Sequence, residues 1–238
     1  MKRRIMDGEL KNIEVFSSEK VVGEYSQKTK LFPQESKIIK RYFTKKGAKV
    51  LDLGCGTGRT TYHFYEMGFD VIGVDISKAM IAEAKSKYPY IDFRVGDACE
   101  LNFKDEIFDY VLFSFNGIDY IFPENNRIKA IKEIYRVLKS GGLFIFSTHN
   151  SWFLIPEKIT GYYFLLKFWF RNLVENRIFS KYKISECQYG ELLTYHINPV
   201  QQKKQLENCG FELLEIIGRF DDIRKYFEPW LYYVARKR

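Results

Sequence analysis

Three aspartates stand at or beside the ends of three successive predicted strands. Asp52 comes just before the glycine-rich segment Gly54–Gly58, Asp75 ends the next strand, and Asp97 follows the third. The carboxyl ends of parallel strands meet at one edge of an open α/β sheet, where such folds bind their ligands. We therefore expect the three carboxylates to face one crevice.

The glycine-rich segment predicts a turn that a ligand can approach closely. Glycines at 54, 56 and 58 allow positive φ angles and expose bare backbone, and the helix that follows directs free N–H groups toward the turn. Dinucleotide-binding turns have the spacing GxGxxG and face a pyrophosphate. Here the spacing is GxGxG, and Asp52 beside it would repel a pyrophosphate. The pattern favours a cationic ligand.

Asp75 and Asp97 stand where a nucleoside could be recognised. Asp75 lies about 20 residues after the turn, the spacing at which a carboxylate accepts hydrogen bonds from both hydroxyls of a ribose. Asp97 follows the next strand, where it can accept from an adenine amino group. Together they predict a ligand with a nucleoside part.

Three further side chains could take a proton at the same edge. His149 follows the predicted fifth strand, Asp119 lies in the loop after the fourth, and His196 follows an aromatic-rich segment. An imidazole has an ordinary pKa near ~6.5 and suits general-base catalysis. A structural role stays open for each of the three.

The elements that would position these residues alternate between strand and helix patterns, which predicts βαβ units and a parallel sheet. A short connection between the last two predicted strands favours an antiparallel pair. The predicted strands are 49–53, 70–75, 92–95, 108–115, 143–147, 211–217 and 230–235, and the predicted helices are 33–46, 59–67, 77–88, 124–139 and 198–209.

Residues 151–190 interrupt this alternation and are rich in aromatic side chains. We interpret them as an inserted lid with at least one helix, over about 156–175, that binds the second substrate. Aromatic walls with few polar groups fit a ring-bearing or sugar-like small molecule. Two alternatives stay open: a helix that only packs on the domain, and a helix that lies on a membrane surface, because basic residues flank its apolar ones.

Composition and charge exclude several classes. The chain has 238 residues, a net charge of +8 and four cysteines without a CxxC pair, so neither a disulfide framework nor a structural zinc site is predicted. The first residues lack the apolar stretch of a signal peptide, and the longest apolar run, 162–170, is interrupted by Lys167 and too short to span a bilayer. The sequence predicts a cytoplasmic monomer or homodimer, with neither nucleic acid nor membrane as partner and no metal.

A set of motifs resembles the class I S-adenosylmethionine-dependent methyltransferases. The motifs are VLDLGCGTGR, VIGVDIS, VGDACEL, FDYVLFSFNGIDYI and GGLFIFS, and they span about residues 45–150. The resemblance implies a Rossmann-like α/β fold, with a mostly parallel seven-stranded sheet, its last strand antiparallel, and helices on both faces. The cofactor-binding domain would comprise 1–150 and 191–238, with 1–46 as an N-terminal cap and 151–190 as the lid.

The resemblance also implies a set of residues that bind S-adenosylmethionine and its product S-adenosylhomocysteine. The glycines would hold the cofactor, Asp52 would lie near its methionyl part, and Tyr25 would cover it. Asp75 would bind the ribose. The complete set is Tyr25, Asp52, Gly54, Gly56, Gly58, Asp75, Ile76, Asp97, Ala98 and Ser114.

The remaining members of this set would contact the base and the amino-acid part. Ile76 would pack on adenine, and Asp97 with Ala98 would hold its edge. The backbone near Ser114 would bind the amino-acid part.

Two segments, 114–119 and 147–150, resemble the methyltransferases that act on small molecules, and the NPPY-type tetrad of nucleic-acid enzymes is not matched. The expected function is methyl transfer to a hydroxyl or an amine of a sugar-like or ring-bearing small molecule. An amine needs only its lone pair, whereas a hydroxyl also needs a base. An RNA or protein methyltransferase, and a non-catalytic cofactor-binding regulator, stay open as alternatives.

Overall fold

A nine-stranded sheet forms the centre of the protein in this computed structural model, which describes residues 11–155, 159, 161–187 and 190–238. Seven of its strands make the main sheet, and two form a hairpin beyond its edge. The strands are β1 (Lys49–Leu53), β2 (Asp70–Asp75), β3 (Asp92–Val95), β4 (Phe108–Phe113), β5 (Leu138–Asn150), β6 (Tyr182–Cys187), β7 (Gly190–Ile197), β8 (Phe211–Ile217) and β9 (Trp230–Lys237).

Helices flank the sheet, and the described part of the chain also contains two 3-10 turns. The turns are Gly117–Tyr120, after β4, and Ile223–Phe227, between β8 and β9. The helices are α1 (11–17), α2 (Glu19–Gln27), α3 (Pro33–Tyr42), α4 (Arg59–Glu66), α5 (Lys78–Lys87), α6 (Glu124–Val137), α7 (Gly161–Val174) and α8 (Pro199–Asn208).

The main sheet has the strand order β3-β2-β1-β4-β5-β9-β8. The pairs from β3 to β5 are parallel, whereas β9 is antiparallel to both β5 and β8. This confirms the predicted Rossmann-like α/β fold, a mostly parallel sheet with its last strand antiparallel. Strands β1, β2, β3 and β8 begin and end at the predicted residues.

The protein has a hydrophobic core on each face of the sheet, because successive side chains of a buried strand point to opposite faces. Leu51 and Val111 pack in the core that α6 and α8 cover. Val50 and Leu112 pack in the core that α3, α4 and α5 cover. Strands buried on both faces explain why the central segments are almost wholly apolar.

Strand β5 extends beyond the end of β4, and its last residues hold the hairpin β6–β7. His149 and Asn150 pair in parallel with His196 and Ile197 of β7, and β6 pairs antiparallel with β7. The predicted lid helix is present as α7, but the hairpin was not predicted. Strand β7 also runs past residue 190, where we expected the lid to end. Within the described ranges, none of the helices has the length and apolar content needed to cross a bilayer.

Candidate active site

The glycine-rich turn joins β1 to α4 at the carboxyl edge of the sheet. Gly54, Gly56 and Gly58 have φ angles of 59°, 55° and 84°, a region that favours glycine. A Cβ on Gly54 would lie 2.7 Å from the Phe113 ring, and one on Gly58 would lie 2.6 Å from the Phe93 ring. Gly54 and Gly56 line the crevice, whereas Gly58 is the N-cap of α4.

Asp52 lies behind this turn and does not line the crevice. Its side chain is buried, and Oδ2 accepts hydrogen bonds from the hydroxyls of Thr60 and Thr61, both at 2.6 Å. Burial raises the pKa of the Asp52 carboxyl to about 6. Asp52 thus connects the end of β1 to the start of α4, and its expected place near the methionyl part of the cofactor stays a prediction.

Asp75 faces the crevice and is held by the backbone on both sides. Gly56 N–H donates to Oδ2 at 2.9 Å, and Ser77 N–H donates to Oδ1 at 2.8 Å. Each carboxylate oxygen keeps a further lone pair for a ligand. Burial raises the pKa of Asp75, although these two hydrogen bonds act in the opposite direction. Ile76 beside it is 45% exposed and offers an apolar surface to the crevice.

Asp97, Ala98 and Tyr25 also line the crevice. Asp97 is exposed, and its Oδ1 accepts from the backbone N–H of Cys99 at 2.8 Å. The Tyr25 ring of α2 stands edge-on to Phe115, with the ring centroids 5.9 Å apart. The structure therefore brings most of the predicted cofactor-binding residues to one cavity.

A buried carboxylate that the sequence did not indicate, Glu35, holds two residues of the cavity wall, Arg59 and Ser114. Glu35 is 1% exposed and binds Arg59 through two hydrogen bonds, at 2.5 and 2.8 Å. The Ser114 hydroxyl donates to Glu35 and also contacts the Tyr232 hydroxyl at 2.8 Å. The position of Arg59 directly after the glycine turn is the sequence feature that could have indicated this charged pair.

Two cations line the crevice, Arg59 and Lys28. The pKa of Lys28 is lowered, chiefly by burial. A guanidinium and an ammonium suit a ligand carboxylate.

A second cavity lies between the end of β5, α7 and the hairpin β6–β7. His149 and His196 form part of its wall, and their rings stack with centroids 5.0 Å apart. Rings from three other elements complete its apolar lining: Phe153, Phe164, Phe168 and Trp230.

His149 is oriented by Asp119. The Asp119 Oδ2 atom lies 2.7 Å from His149 Nδ1 and accepts from the His149 backbone N–H at 2.6 Å. Its Oδ1 atom accepts from Arg127 at 2.8 Å and from Thr148 at 2.6 Å. Asp119 is fully buried and contacts both the ring and the backbone of His149. Its expected role as a base stays a prediction.

Arg127, also absent from the sequence prediction, is fully buried beside Asp119. Its guanidinium donates to the Ile118 carbonyl and to the Gln202 side chain, and it lies 4.4 Å from the Tyr195 ring centroid. A buried carboxylate is costly without a cation, and Arg127 is the cation that pairs with Asp119.

His196 has a supporting place in the wall. Its Nε2 atom lies 2.9 Å from the Thr194 hydroxyl. Burial, together with the neighbouring His149 and Lys183, lowers the pKa of His196 well below its usual value. The ring is therefore neutral and packs against His149.

The end of β4 lies between the two cavities. Phe115 and Asn116 both have positive φ angles, 52° and 59°, an arrangement that is costly for side chains other than glycine and often marks a functional site. Phe115 lines the first cavity, and Asn116 Nδ2 lies 3.5 Å from His149 Nε2. The buried Asn116 Oδ1 has no hydrogen-bond partner among the residues that the structure describes.

A cluster of three or more His, Cys, Asp or Glu side chains able to hold a metal ion does not occur in the described part of the chain.

Comparison with known proteins identifies the domain. Residues 50–142 match the family model described as "Methyltransferase domain". The Bacillus subtilis (strain 168) protein named "Putative methyltransferase YqeM" is 28% identical to this chain over 209 residues. The match covers 80% of this chain and 84% of that protein. A demethylmenaquinone methyltransferase from Paenarthrobacter aurescens (strain TC1) is 39% identical over 105 residues, 44% of this chain and only 40% of that enzyme.

A solved structure shows the same fold. The SAM-dependent methyltransferase from Methanosarcina mazei superposes with a TM-score of 0.69 at 20% identity, covering 87% of this chain and 98% of that one. Taken with the matched domain and the relatives, this likeness leads to one assignment. The chain is a class I S-adenosylmethionine-dependent methyltransferase, and S-adenosylmethionine is its cofactor.

Proposed function

We propose that the protein methylates a hydroxyl group of an apolar, ring-bearing small molecule, with His149 as the general base. The observation that carries this proposal is the contact of Asp119 with both the ring and the backbone of His149. Such a pair is the arrangement that orients an imidazole for proton transfer.

The contact determines which nitrogen is available. A carboxylate only accepts hydrogen bonds, so Nδ1 carries the hydrogen and the neutral ring has its lone pair on Nε2. His149 lines the second cavity, where that lone pair can take the proton of an acceptor hydroxyl. An amine acceptor would not need this group, because its lone pair is already free.

The first cavity fits the cofactor. Asp75 would accept from the ribose hydroxyls, Ile76 would pack on the adenine, and Asp97 would accept from its amino group. Arg59 and Lys28 would hold the carboxylate of the amino-acid part. When bound, the cofactor supplies an electrophilic methyl group on a sulfonium, whose neutral leaving group makes alignment the main task of the protein.

The lining of the second cavity supports an aromatic acceptor. Its rings come from the segment after β5, from α7 and from β9, as in pockets for apolar ligands. The cations that also line it are held in ion pairs, Lys167 with Glu186 and Arg171 with Glu191. One relative acts, by its name, on demethylmenaquinone, a quinone. We therefore assign the segment 151–197 to covering and selecting the acceptor.

The experiment uses methyl-labelled S-adenosylmethionine with a panel of phenols and quinols. Wild type and His149→Ala are compared, with His63→Ala as the matched control, because the His63 ring contacts the Thr29 carbonyl and does not line either cavity. We expect His149→Ala to lose about 10²- to 10⁴-fold in turnover, with unchanged affinity for S-adenosylhomocysteine. The loss should shrink as pH rises, since the acceptor hydroxyl then ionises without a base.

Two results would contradict the proposal. Full turnover by His149→Ala would remove the base and favour an amine acceptor. Label that enters RNA or protein of a cell extract, and no small molecule, would overturn the acceptor class.

A further inference from the structure

Helix α7 carries a continuous stripe of large apolar side chains on its outer face. Each is between 49% and 72% exposed, and most are three or four residues from another member, so they share one side of the helix. We call them the α7 stripe: Tyr162, Tyr163, Leu166, Phe170, Leu173 and Val174. Soluble monomers rarely expose apolar patches of this kind without a function.

The orientation of α7 is fixed by its inner face, so the stripe cannot turn into the protein. The Asn172 side chain is fully buried, donates to the Ile184 carbonyl at 3.0 Å and accepts from the Ile184 N–H at 2.9 Å. Ion pairs add to this clamp: Lys167 with Glu186, and Arg171 with Glu191 at 2.8 Å. These hydrogen bonds and ion pairs hold α7 with the stripe facing outward.

We propose that the α7 stripe docks the enzyme on the surface of an anionic lipid bilayer. A helix of 14 residues is too short to cross the hydrocarbon core, but it can lie in the interface with its apolar face in the lipid. Tyr162 and Tyr163 have apolar rings with polar tips, which suit that depth.

Charge selects lipid over a second copy of the chain. The net charge is +8, so two copies repel each other, whereas an anionic leaflet attracts the protein.

The same helix walls the second cavity through Phe164, Leu165 and Phe168. Docking would thus bring the acceptor cavity to the membrane surface, where an apolar acceptor dissolves. The docking surface itself rests on exposure and charge, and it does not depend on which atom is methylated.

The test is sedimentation of the full chain with phosphatidylcholine vesicles, with and without phosphatidylglycerol. We expect binding to the phosphatidylglycerol vesicles and weaker binding to phosphatidylcholine alone. Leu166→Glu and Phe170→Glu should each reduce the partition by on the order of tenfold or more. Ile223→Glu is the matched control, because Ile223 is equally exposed (73%) on a turn outside α7. Affinity for S-adenosylhomocysteine reports that each variant is folded.

Quenching of tryptophan fluorescence by brominated lipid tests membrane contact of the unsubstituted protein, whose α7 carries Trp169. Absence of vesicle binding by the wild type, or vesicle binding unchanged in Leu166→Glu, would overturn the proposal. A wild-type dimer that Phe170→Glu dissociates, with no vesicle binding, would identify the stripe as an interface between copies.

Discussion

Replacing Asp52 by Asn should change how the stability of the protein depends on pH. The carboxyl is buried, and its pKa rises from 3.8 to about 6 on folding, chiefly through desolvation. A raised carboxyl pKa means that the folded state holds the proton more tightly than the unfolded state. The contribution of Asp52 is therefore full below about pH 4 and is lost as pH rises through about 6.

The size of the effect follows from the two pKa values. At 1.36 kcal/mol per pKa unit, the ionised Asp52 costs the folded state about 3 kcal/mol at neutral pH. Asparagine has the same shape and can still accept from the Thr60 and Thr61 hydroxyls, which both donate to Asp52 Oδ2. The substitution thus removes the titration while it keeps the turn connected to α4.

Urea unfolding of the chain without cofactor, at several pH values from about 4 to about 7.5, measures the effect. Between these limits, wild type should lose about 2.5 kcal/mol more unfolding free energy than Asp52→Asn, because the unfolded carboxyl is already partly ionised at about pH 4. Asp70→Asn is the matched control, because Asp70 is exposed at the start of β2, and it should follow the wild-type slope. Parallel curves for wild type and Asp52→Asn would refute the assignment of a raised pKa to the buried carboxyl.

Three further substitutions test the site and its support. Asp75→Ala should weaken S-adenosylhomocysteine binding by about 1.5–3 kcal/mol, and equal affinity in titration calorimetry would remove Asp75 from the ribose. Gly58→Ala should lower unfolding stability by about 1–3 kcal/mol, because φ is 84° and the new Cβ would lie 2.6 Å from Phe93; an unchanged melting temperature would contradict this. Arg127→Met should cost about 3–5 kcal/mol by leaving the buried Asp119 without its cation. Denaturant titration should show part of that cost recovered by adding Asp119→Asn.

The cofactor half of the protein was predictable because its signals are local. Strand β1 is an apolar run that leads into the glycine turn, and β2 is an apolar run that ends in an aspartate. The strand pattern and the residues that end it therefore lie within a few positions of each other. The turn itself needs positive φ at Gly54, Gly56 and Gly58, and the sequence supplies glycine at each.

The hairpin β6–β7 was missed because its pairing is not local. Tyr182 and Ile184 alternate with Lys183 and Ser185, a weak strand pattern in a segment that aromatic residues dominate. Its place on the sheet depends on the register of β7 with the end of β5, between residues more than forty positions apart. The alternation of polar and apolar residues within a strand does not show which residues of another strand it pairs with.

The buried charges were missed for a related reason. Arg127 lies on the amphipathic helix α6, where a charged residue is normally solvated. Glu35 lies 24 residues before Arg59, its partner. A sequence shows the charge of each residue, but burial and partner are properties of the assembled fold, so the sequence patterns singled out neither charge.

These differences separate the two halves of the reaction. The donor side is built from consecutive strand ends, each of which places one residue, so the chain order of Asp75 and Asp97 already implies their proximity. On our proposal, the acceptor side is built around one buried carboxylate, Asp119, which lies on a 3-10 turn and whose partners Arg127 and His149 come from a helix and a strand. Such an assembly can change, and with it the substrate, while the glycine turn stays the same. The strand-end pattern therefore identifies the methyl donor, whereas we propose that the acceptor binds in the cavity that β5, α7 and the hairpin enclose.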